Sequence, residues 1–255
     1  MTVTRTRILA GNWKMNHGPS QAARFFADFL PLVEPADGRS VVFFPPAVSF
    51  AAAREAVQGR PDVRLGVQNV HWEAGGAFTG ELSVSMAADA GAELVLVGHS
   101  ERRHVFGETI DETVRKTVAV LEGGLDPVLC VGETIDERRA DRAEAVVVEQ
   151  LGPVLAAVPV EHLARLVIAY EPVWAIGTGV TATPADAAAM HAAVRRTLEE
   201  VYGAGAAGQV PVLYGGSVKP ENAAELMSQP GVDGVLVGGA SLDPAGFAAI
   251  VRAAG

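Results

Sequence analysis

The sequence contains almost no cysteine, and this scarcity indicates the type of cellular compartment in which the protein is expected to function. Cys130 is the only cysteine in 255 residues, so no intrachain disulfide can form. A chain without disulfides suits a reducing compartment, and we therefore expect a cytoplasmic protein. The first residues, 1–7, are polar and are not followed by the pattern of a secretory signal peptide.

Basic charge and long apolar runs are also scarce. The chain has 20 Lys and Arg against 30 Asp and Glu, a formal net charge of −10. No cluster of basic residues offers a footprint for nucleic acid, and no apolar run reaches the roughly 18 residues of a membrane span, so we predict neither partner. A small anionic ligand remains compatible with this charge, because backbone N–H groups can hold a phosphate without many lysines.

Eight short apolar runs recur along the chain, separated by longer segments with helical spacing. Because the runs are continuously apolar rather than alternating, they are typical of strands buried on both faces, as in parallel sheets. The intervening spacing predicts helices that include 21–33, 109–122, 137–155, 184–202 and 220–228. The predicted strands are 7–11, 41–44, 63–67, 94–97, 127–131, 166–170, 210–214 and 232–237.

Eight strand–helix units with short connections predict a closed (β/α)₈ barrel of eight parallel strands, each followed by a helix. No Ser/Gly-rich hinge or charge block divides the chain, so we predict a single domain over 1–255; the Gly/Ala-rich stretch 203–208 is interpreted as a helix-to-strand loop. An open doubly wound sheet is less favoured. Such sheets usually carry a Gly-rich G-x-G-x-x-G turn after the first strand, and this chain has Asn12 and Lys14 there.

Polar side chains follow several predicted strands at the barrel face where active sites of this fold lie. Lys14 follows the first strand, His99 and Glu101 follow the fourth, and Glu171 follows the sixth. Each of these residues taken singly is more often an ordinary loop charge or a structural histidine. Together they indicate a catalytic site, because unrelated loop charges have no reason to occupy equivalent strand ends. The pattern predicts acid–base chemistry with Glu171 as the base.

Two glycine pairs and an apolar loop complete the predicted site. Gly215-Gly216-Ser217 and Gly238-Gly239 follow the seventh and eighth strands, where barrel enzymes often bind phosphate through backbone N–H groups. The apolar loop 172–179 directly follows Glu171 and ends in small residues, which favours a lid that excludes water over an ordinary packed loop. Cys130 lies inside an apolar run and is interpreted as an inert core thiol.

Long motifs spread over almost the whole chain resemble the triosephosphate isomerase family. They occur in the family's order and are highly specific. The resemblance implies a barrel enzyme of glycolysis and gluconeogenesis that interconverts glyceraldehyde 3-phosphate and dihydroxyacetone phosphate without a metal or organic cofactor. The motifs are GNWKMN at 11–16, GGAFTGELS at 75–83, VGHSERR at 97–103, CVGE at 130–133, AYEPVWAIGTG at 169–179, YGGSV at 214–218 and VGGASL at 237–242.

The resemblance also implies a role for each matching residue. Glu171 would be the base that moves a proton between the two carbons beside the carbonyl, and His99 the neutral electrophile; the family is itself the standard example of this arrangement. Lys14 would offset charge on the phosphate and the enediolate. Substrate binding falls to Lys14, Asn12, Gly177, Ser217, Gly238 and Gly239, and supporting positions to Ser100 and Glu101.

The family is usually a homodimer, so we predict a homodimer through the loop that runs from Gln68 to Glu81. His71, Trp72 and Phe78 give this loop more apolar surface than a free loop should expose, although packing within one chain is the alternative. Two other functions stay open. A paralogous tetrulose-phosphate isomerase would use the same catalytic set, whereas a catalytically idle scaffold barrel would be expected to have lost it.

Overall fold

Eight parallel strands close into a barrel in the computed structural model, which describes residues 5–176 and 182–254. Each strand pairs with the next along the chain, and β8 pairs with β1, which confirms the predicted fold. The strands are β1 Arg7–Asn12, β2 Arg39–Phe44, β3 Val63–Val67, β4 Leu94–Val97, β5 Asp126–Val131, β6 Val167–Tyr170, β7 Val212–Tyr214 and β8 Gly234–Val237.

Alternate residues of every strand except β3 enter two separate apolar clusters. One cluster contains strand residues such as Ile8, Ala10 and Cys130 and no helix residue, so it fills the barrel interior. The other joins strand residues such as Leu9 to helix residues such as Phe26, so it lies between barrel and helices. Both faces of these strands are therefore buried, which is the physical reason for continuous apolar runs in the sequence.

Helices follow the strands and cover the outside of the barrel. Each of the five helices predicted above overlaps an observed helix, and one of the five is divided into two. The helices are α1 Pro19–Phe29, α2 Phe50–Ala56, α3 Val84–Ala90, α4 Ser100–His104, α5 Ile110–Glu122, α6 Ile135–Arg139, α7 Ala143–Ala157, α8 Pro184–Tyr202, α9 Ala204–Ala207, α10 Pro220–Met227 and α11 Pro244–Arg252. Among the described residues, no helix is long and apolar enough to cross a membrane.

The prediction of one helix over 137–155 was wrong, because α6 ends before α7 begins. Asp141 lies between them with φ of 56°, a left-handed backbone that cannot continue a right-handed helix. The interpretation of 203–208 as a loop was also incomplete, since it contains the single turn α9. Neither difference moves a strand end.

A buried histidine in α8 makes the stability of the fold depend on pH. The His191 ring packs near Tyr170 and Tyr214, and its Nδ1 lies 2.9 Å from the Gly231 carbonyl oxygen. Burial lowers the pKa of His191 from 6.5 to about 4. Between those two values the unfolded chain binds the extra proton, so the free energy of unfolding falls as the pH falls.

We expect this histidine to cost about 2 kcal/mol of stability between pH 7 and pH 5. Urea unfolding of the wild type and of His191→Gln at both pH values, at one protein concentration, measures it. The variant should lose less stability than the wild type over this interval, because glutamine does not titrate. Equal losses in both proteins would contradict the assignment.

Candidate active site

Most of the predicted site residues that the structure describes line two adjoining cavities at the carboxyl end of the barrel; Glu171 and Ser100 line neither. One cavity of about 460 Å³ lies between the loops after β1, β6, β7 and β8. The other, of about 250 Å³, is lined by residues that include Asn12, Lys14, His99 and Glu101. The larger cavity is lined by Asn12, Trp13, Lys14, Asn16, Ile176, Gly216, Ser217, Val218, Lys219, Gly238, Gly239, Ala240 and Leu242.

Glu171 lies directly after β6 and points its carboxylate at the end of β4. Its Oε1 is 3.1 Å from His99 Nε2, and its Oε2 accepts a 2.8 Å hydrogen bond from the Ser100 backbone N–H. The residue is only 2% exposed, and a Cβ placed on Gly215 would lie 2.9 Å from Glu171 Cγ. Barrel closure therefore brings three residues from two distant parts of the chain into one tightly enclosed contact.

The helix that begins beside His99 determines which of its ring nitrogens accepts a hydrogen bond. It is the N-cap of α4, and its Nδ1 accepts the Glu101 backbone N–H at 3.2 Å. A nitrogen that accepts a hydrogen bond carries no proton, so these bonds assign the single ring proton to Nε2. Nε2 is the atom that faces Glu171. The structure thus leaves Nε2 as the ring donor, and this donor points into the site.

Lys14 stands at the entrance of the same cavities on a backbone of unusual conformation. Its φ is 52°, which is costly for a residue with a side chain. Two side chains hold this backbone, since Asn12 Oδ1 accepts the Lys14 N–H at 3.0 Å and Gln68 Nε2 donates to the Lys14 carbonyl at 2.8 Å. The Lys14 Nζ lies 2.7 Å from Glu101 Oε1. The cation is therefore held by Glu101 at a position that lines both cavities.

The glycines after β7 and β8 line the larger cavity together with Lys14. A Cβ on Gly238 would approach Lys14 Cε to 3.4 Å, so the chain passes close to the lysine side chain. Gly239 opens the 3₁₀ turn Gly239–Leu242. Ser217 lines the same space. Gly177, and with it the end of the predicted lid, lies outside the described residues.

A carboxylate that the sequence analysis did not single out lies under the start of the loop after β6. Glu133 is fully buried and accepts hydrogen bonds from Tyr170 Oη at 3.1 Å and from Trp174 Nε1 at 2.8 Å. Arg138 pairs with it at 3.4 Å. Burial and the adjacent carboxylate raise the pKa of Tyr170. The strand-end criterion that selected Glu171 would also have selected Glu133, which follows β5.

The lone cysteine is fully buried near the same site. Burial raises the pKa of the Cys130 thiol well above its ordinary value, and the negative charge of Glu171 acts in the same direction. A thiol in this state is a poor nucleophile. This agrees with its interpretation as part of the core.

A closed βα barrel with a carboxylate against a neutral imidazole donor, beside a lysine and glycine-rich loops, defines a class of enzyme that moves protons on small anions. The chain belongs to the triosephosphate isomerase family, whose sequence model matches residues 7–254. It is 50% identical to a triosephosphate isomerase of Solibacter usitatus, an alignment that covers 97% of this chain and 99% of the relative. A triosephosphate isomerase of Symbiobacterium thermophilum is also 50% identical (98% and 97% covered), and one of Aquifex aeolicus is 46% identical (96% and 98% covered).

Proposed function

We propose that the protein interconverts glyceraldehyde 3-phosphate and dihydroxyacetone phosphate by proton transfer through an enediolate. The observation that carries the proposal is the contact between the Glu171 carboxylate and His99 Nε2 at the barrel mouth. A base and a hydrogen-bond donor held this close are what proton removal beside a carbonyl needs. Family membership supplies the identity of the substrate pair, because the matched relatives are named for it.

Glu171 and His99 divide the chemistry. The Glu171 carboxylate takes the proton from the carbon beside the carbonyl, and the electron pair of that C–H bond moves to the carbonyl oxygen. The His99 Nε2–H donates to this oxygen as its negative charge develops. Glu171 then returns the proton to the neighbouring carbon, the former carbonyl carbon. In the same interconversion the hydroxyl on the first carbon loses its proton as its C=O bond forms, and the former carbonyl oxygen gains a proton to become the new hydroxyl. In the structure Glu171 Oε1 lies 3.1 Å from His99 Nε2 and its Oε2 accepts the Ser100 N–H, so both contacts must be released when substrate enters.

The phosphate is held in the larger cavity. Lys14 supplies one positive charge there, and the backbone N–H groups of Ser217, Gly238 and Gly239 supply donors without steric bulk. Asn12 fixes the lysine backbone and lines both cavities. From the sequence we also propose that the loop 172–179 contributes a backbone donor to the phosphate and acts as a lid over the site. The mechanism calls for no metal or organic cofactor.

Steady-state kinetics of the wild type on glyceraldehyde 3-phosphate and on a tetrulose phosphate test this proposal directly. We expect a much higher kcat/KM for the triose phosphate. A markedly higher kcat/KM for the four-carbon ketose phosphate would show instead that the substrate is that of the paralogous isomerase. No isomerisation of either compound, with Glu171→Ala indistinguishable from wild type, would instead favour an idle barrel.

We also propose that the chain works as one domain over 1–255, in the cytoplasm, and as a homodimer. Support for the dimer comes from exposed apolar side chains around the barrel mouth, because a cluster of such side chains is typical of a protein–protein interface. The loop from Gln68 to Glu81 supports it as well, because residues 73–81 are exposed while His71 stacks between Trp72 and Phe78. The exposed apolar side chains near this face are Met15, Val48, Phe78, Met86, Val105 and Phe106.

A charge on this face should prevent association. Val48 is 77% exposed and lies in the 3₁₀ turn Ala47–Ser49 after β2. We expect Val48→Glu to sediment as a monomer at concentrations where wild type is a dimer, because association would bury an unpaired carboxylate. Val160→Glu is the matched control, since Val160 is also exposed but lies in the turn Val160–Arg165 before β6. If both variants sediment like wild type, the proposed face is not the interface.

A further inference from the structure

We propose that His17 is a positioning residue that fixes the phosphate-binding loop after β8 against the loop after β1. The inference rests on the proposed function, because it assigns a role in holding the phosphate of that substrate. His17 lies three residues beyond Lys14, and its ring Nε2 is 3.1 Å from the carbonyl oxygen of Leu242. That carbonyl ends the turn that begins at Gly239.

Two consecutive carbonyls of the β8 loop are bonded by side chains from the β1 loop. Trp13 Nε1 donates to the Ser241 carbonyl at 3.1 Å, and His17 bonds the next carbonyl, that of Leu242. A carbonyl oxygen only accepts, so His17 Nε2 carries the proton in this contact. One bond leaves a loop free to pivot about it, whereas two neighbouring bonds fix its orientation.

The backbone conformation at His17 directs the ring towards this carbonyl. Its φ is 63°, in the left-handed region that residues with side chains rarely adopt. The Ser49 hydroxyl donates to the His17 carbonyl at 2.6 Å and holds that conformation from the β2 side. The ring also meets the Trp13 indole edge-on, with centroids 4.8 Å apart. A strained backbone held by such contacts is typical of functional positions.

The consequence concerns the spacing of the groups that would grip phosphate. Lys14 belongs to the β1 loop, whereas Gly238 and Gly239 begin the β8 loop, and all three line one cavity. An anion held from both sides is bound well only when the two loops keep a fixed separation. His17 touches neither Glu171 nor His99, so its removal should weaken phosphate binding and leave the proton-transfer groups in place.

Three substitutions separate the contribution of the hydrogen bond from that of the strained backbone. His17→Ala removes the donor. His17→Gln places an amide N–H close to the position of Nε2 and should restore the contact. His17→Asn tolerates the left-handed backbone better than histidine does, but its shorter amide stops short of the Leu242 carbonyl. Asparagine therefore serves as the control for backbone strain, and glutamine as the control for the hydrogen bond.

Binding is measured with inorganic phosphate as the probe, in a titration monitored by ³¹P NMR. Kinetics are measured on glyceraldehyde 3-phosphate and on phosphate-free glyceraldehyde. We expect His17→Ala and His17→Asn to weaken phosphate binding and raise KM by about three- to tenfold, the effect of one lost hydrogen bond. Their rates on glyceraldehyde should match wild type. His17→Gln should stay within about twofold of wild type in all three measurements.

Several results would overturn this role. If His17→Ala lowers thermal stability but binds phosphate like wild type, the residue is structural only. If His17→Asn behaves like wild type, the hydrogen bond to Leu242 does not matter. Suppose that the wild type does not isomerise triose phosphate but His17→Ala binds phosphate more weakly than wild type. This result would contradict the proposed function and support the positioning role. An active wild type with no effect in any variant would sink the positioning role alone.

Discussion

Glu171→Asp is expected to lower kcat for isomerisation by about a hundred- to a thousandfold. The shorter side chain keeps the negative charge but draws the carboxylate back by one methylene. Proton transfer needs the carboxylate oxygen in hydrogen-bond reach of the reacting carbon, so this retreat lengthens the distance on which the rate depends. The close approach of Gly215 to the side chain leaves Glu171 little room to shift, because even a Cβ there would contact its Cγ at 2.9 Å.

The coupled isomerase assay measures this effect, and thermal unfolding checks that the variant is folded. Glu161→Asp is the matched control, because Glu161 is exposed in the turn before β6 and belongs to no predicted site. It should leave kcat unchanged. A Glu171→Asp protein that is folded and retains more than about a tenth of wild-type kcat would remove Glu171 from the role of base.

His99→Asn should cost about a hundred- to a thousandfold in kcat while leaving stability almost unchanged. Asparagine is a favoured N-cap, and its Oδ1 can still accept the Glu101 N–H that His99 Nδ1 accepts now. It has no donor at the position of Nε2, so the developing oxyanion would lose its partner. The expected combination of intact stability and lost activity distinguishes a catalytic donor from a residue that only caps α4.

His99→Gln provides the reverse comparison. Its amide N–H can reach the position of Nε2, but the acceptor that caps α4 is lost, so the free energy of unfolding should fall by about 1 kcal/mol. Activity should exceed that of His99→Asn. The two variants are compared by kcat and by urea unfolding. An asparagine variant within tenfold of wild-type kcat would contradict the assignment of His99 as the electrophile.

The elements that position the site could be predicted from the sequence because barrel strands are buried on both faces. Each predicted strand overlaps the observed one, and Glu171 directly follows β6 as expected. Local errors arose where one residue overrides a periodic pattern, as Asp141 does between α6 and α7.

Contacts between strand ends could not be predicted in the same way. The sequence placed Lys14 and Gln68 after different strands, but it gave no sign that the Gln68 amide holds the left-handed backbone of Lys14. It likewise did not indicate that Glu133 lies buried against Tyr170 and Trp174. Such contacts depend on the orientation of side chains around the closed barrel, which neither periodicity nor spacing encodes.

The sequence by itself determined the barrel, the strand ends and the set of residues that face one mouth, because burial and strand order follow from local patterns. Its long motifs determined the family. Only the tertiary structure decided which nitrogen of His99 carries the proton, because that depends on the Glu101 N–H at the start of α4. It alone decided that Glu171 lies against that imidazole, because closure of the barrel brings the ends of β4 and β6 together. Glu171 Oε1 lies 3.1 Å from His99 Nε2, and the Ser100 N–H donates to Glu171 Oε2 at 2.8 Å.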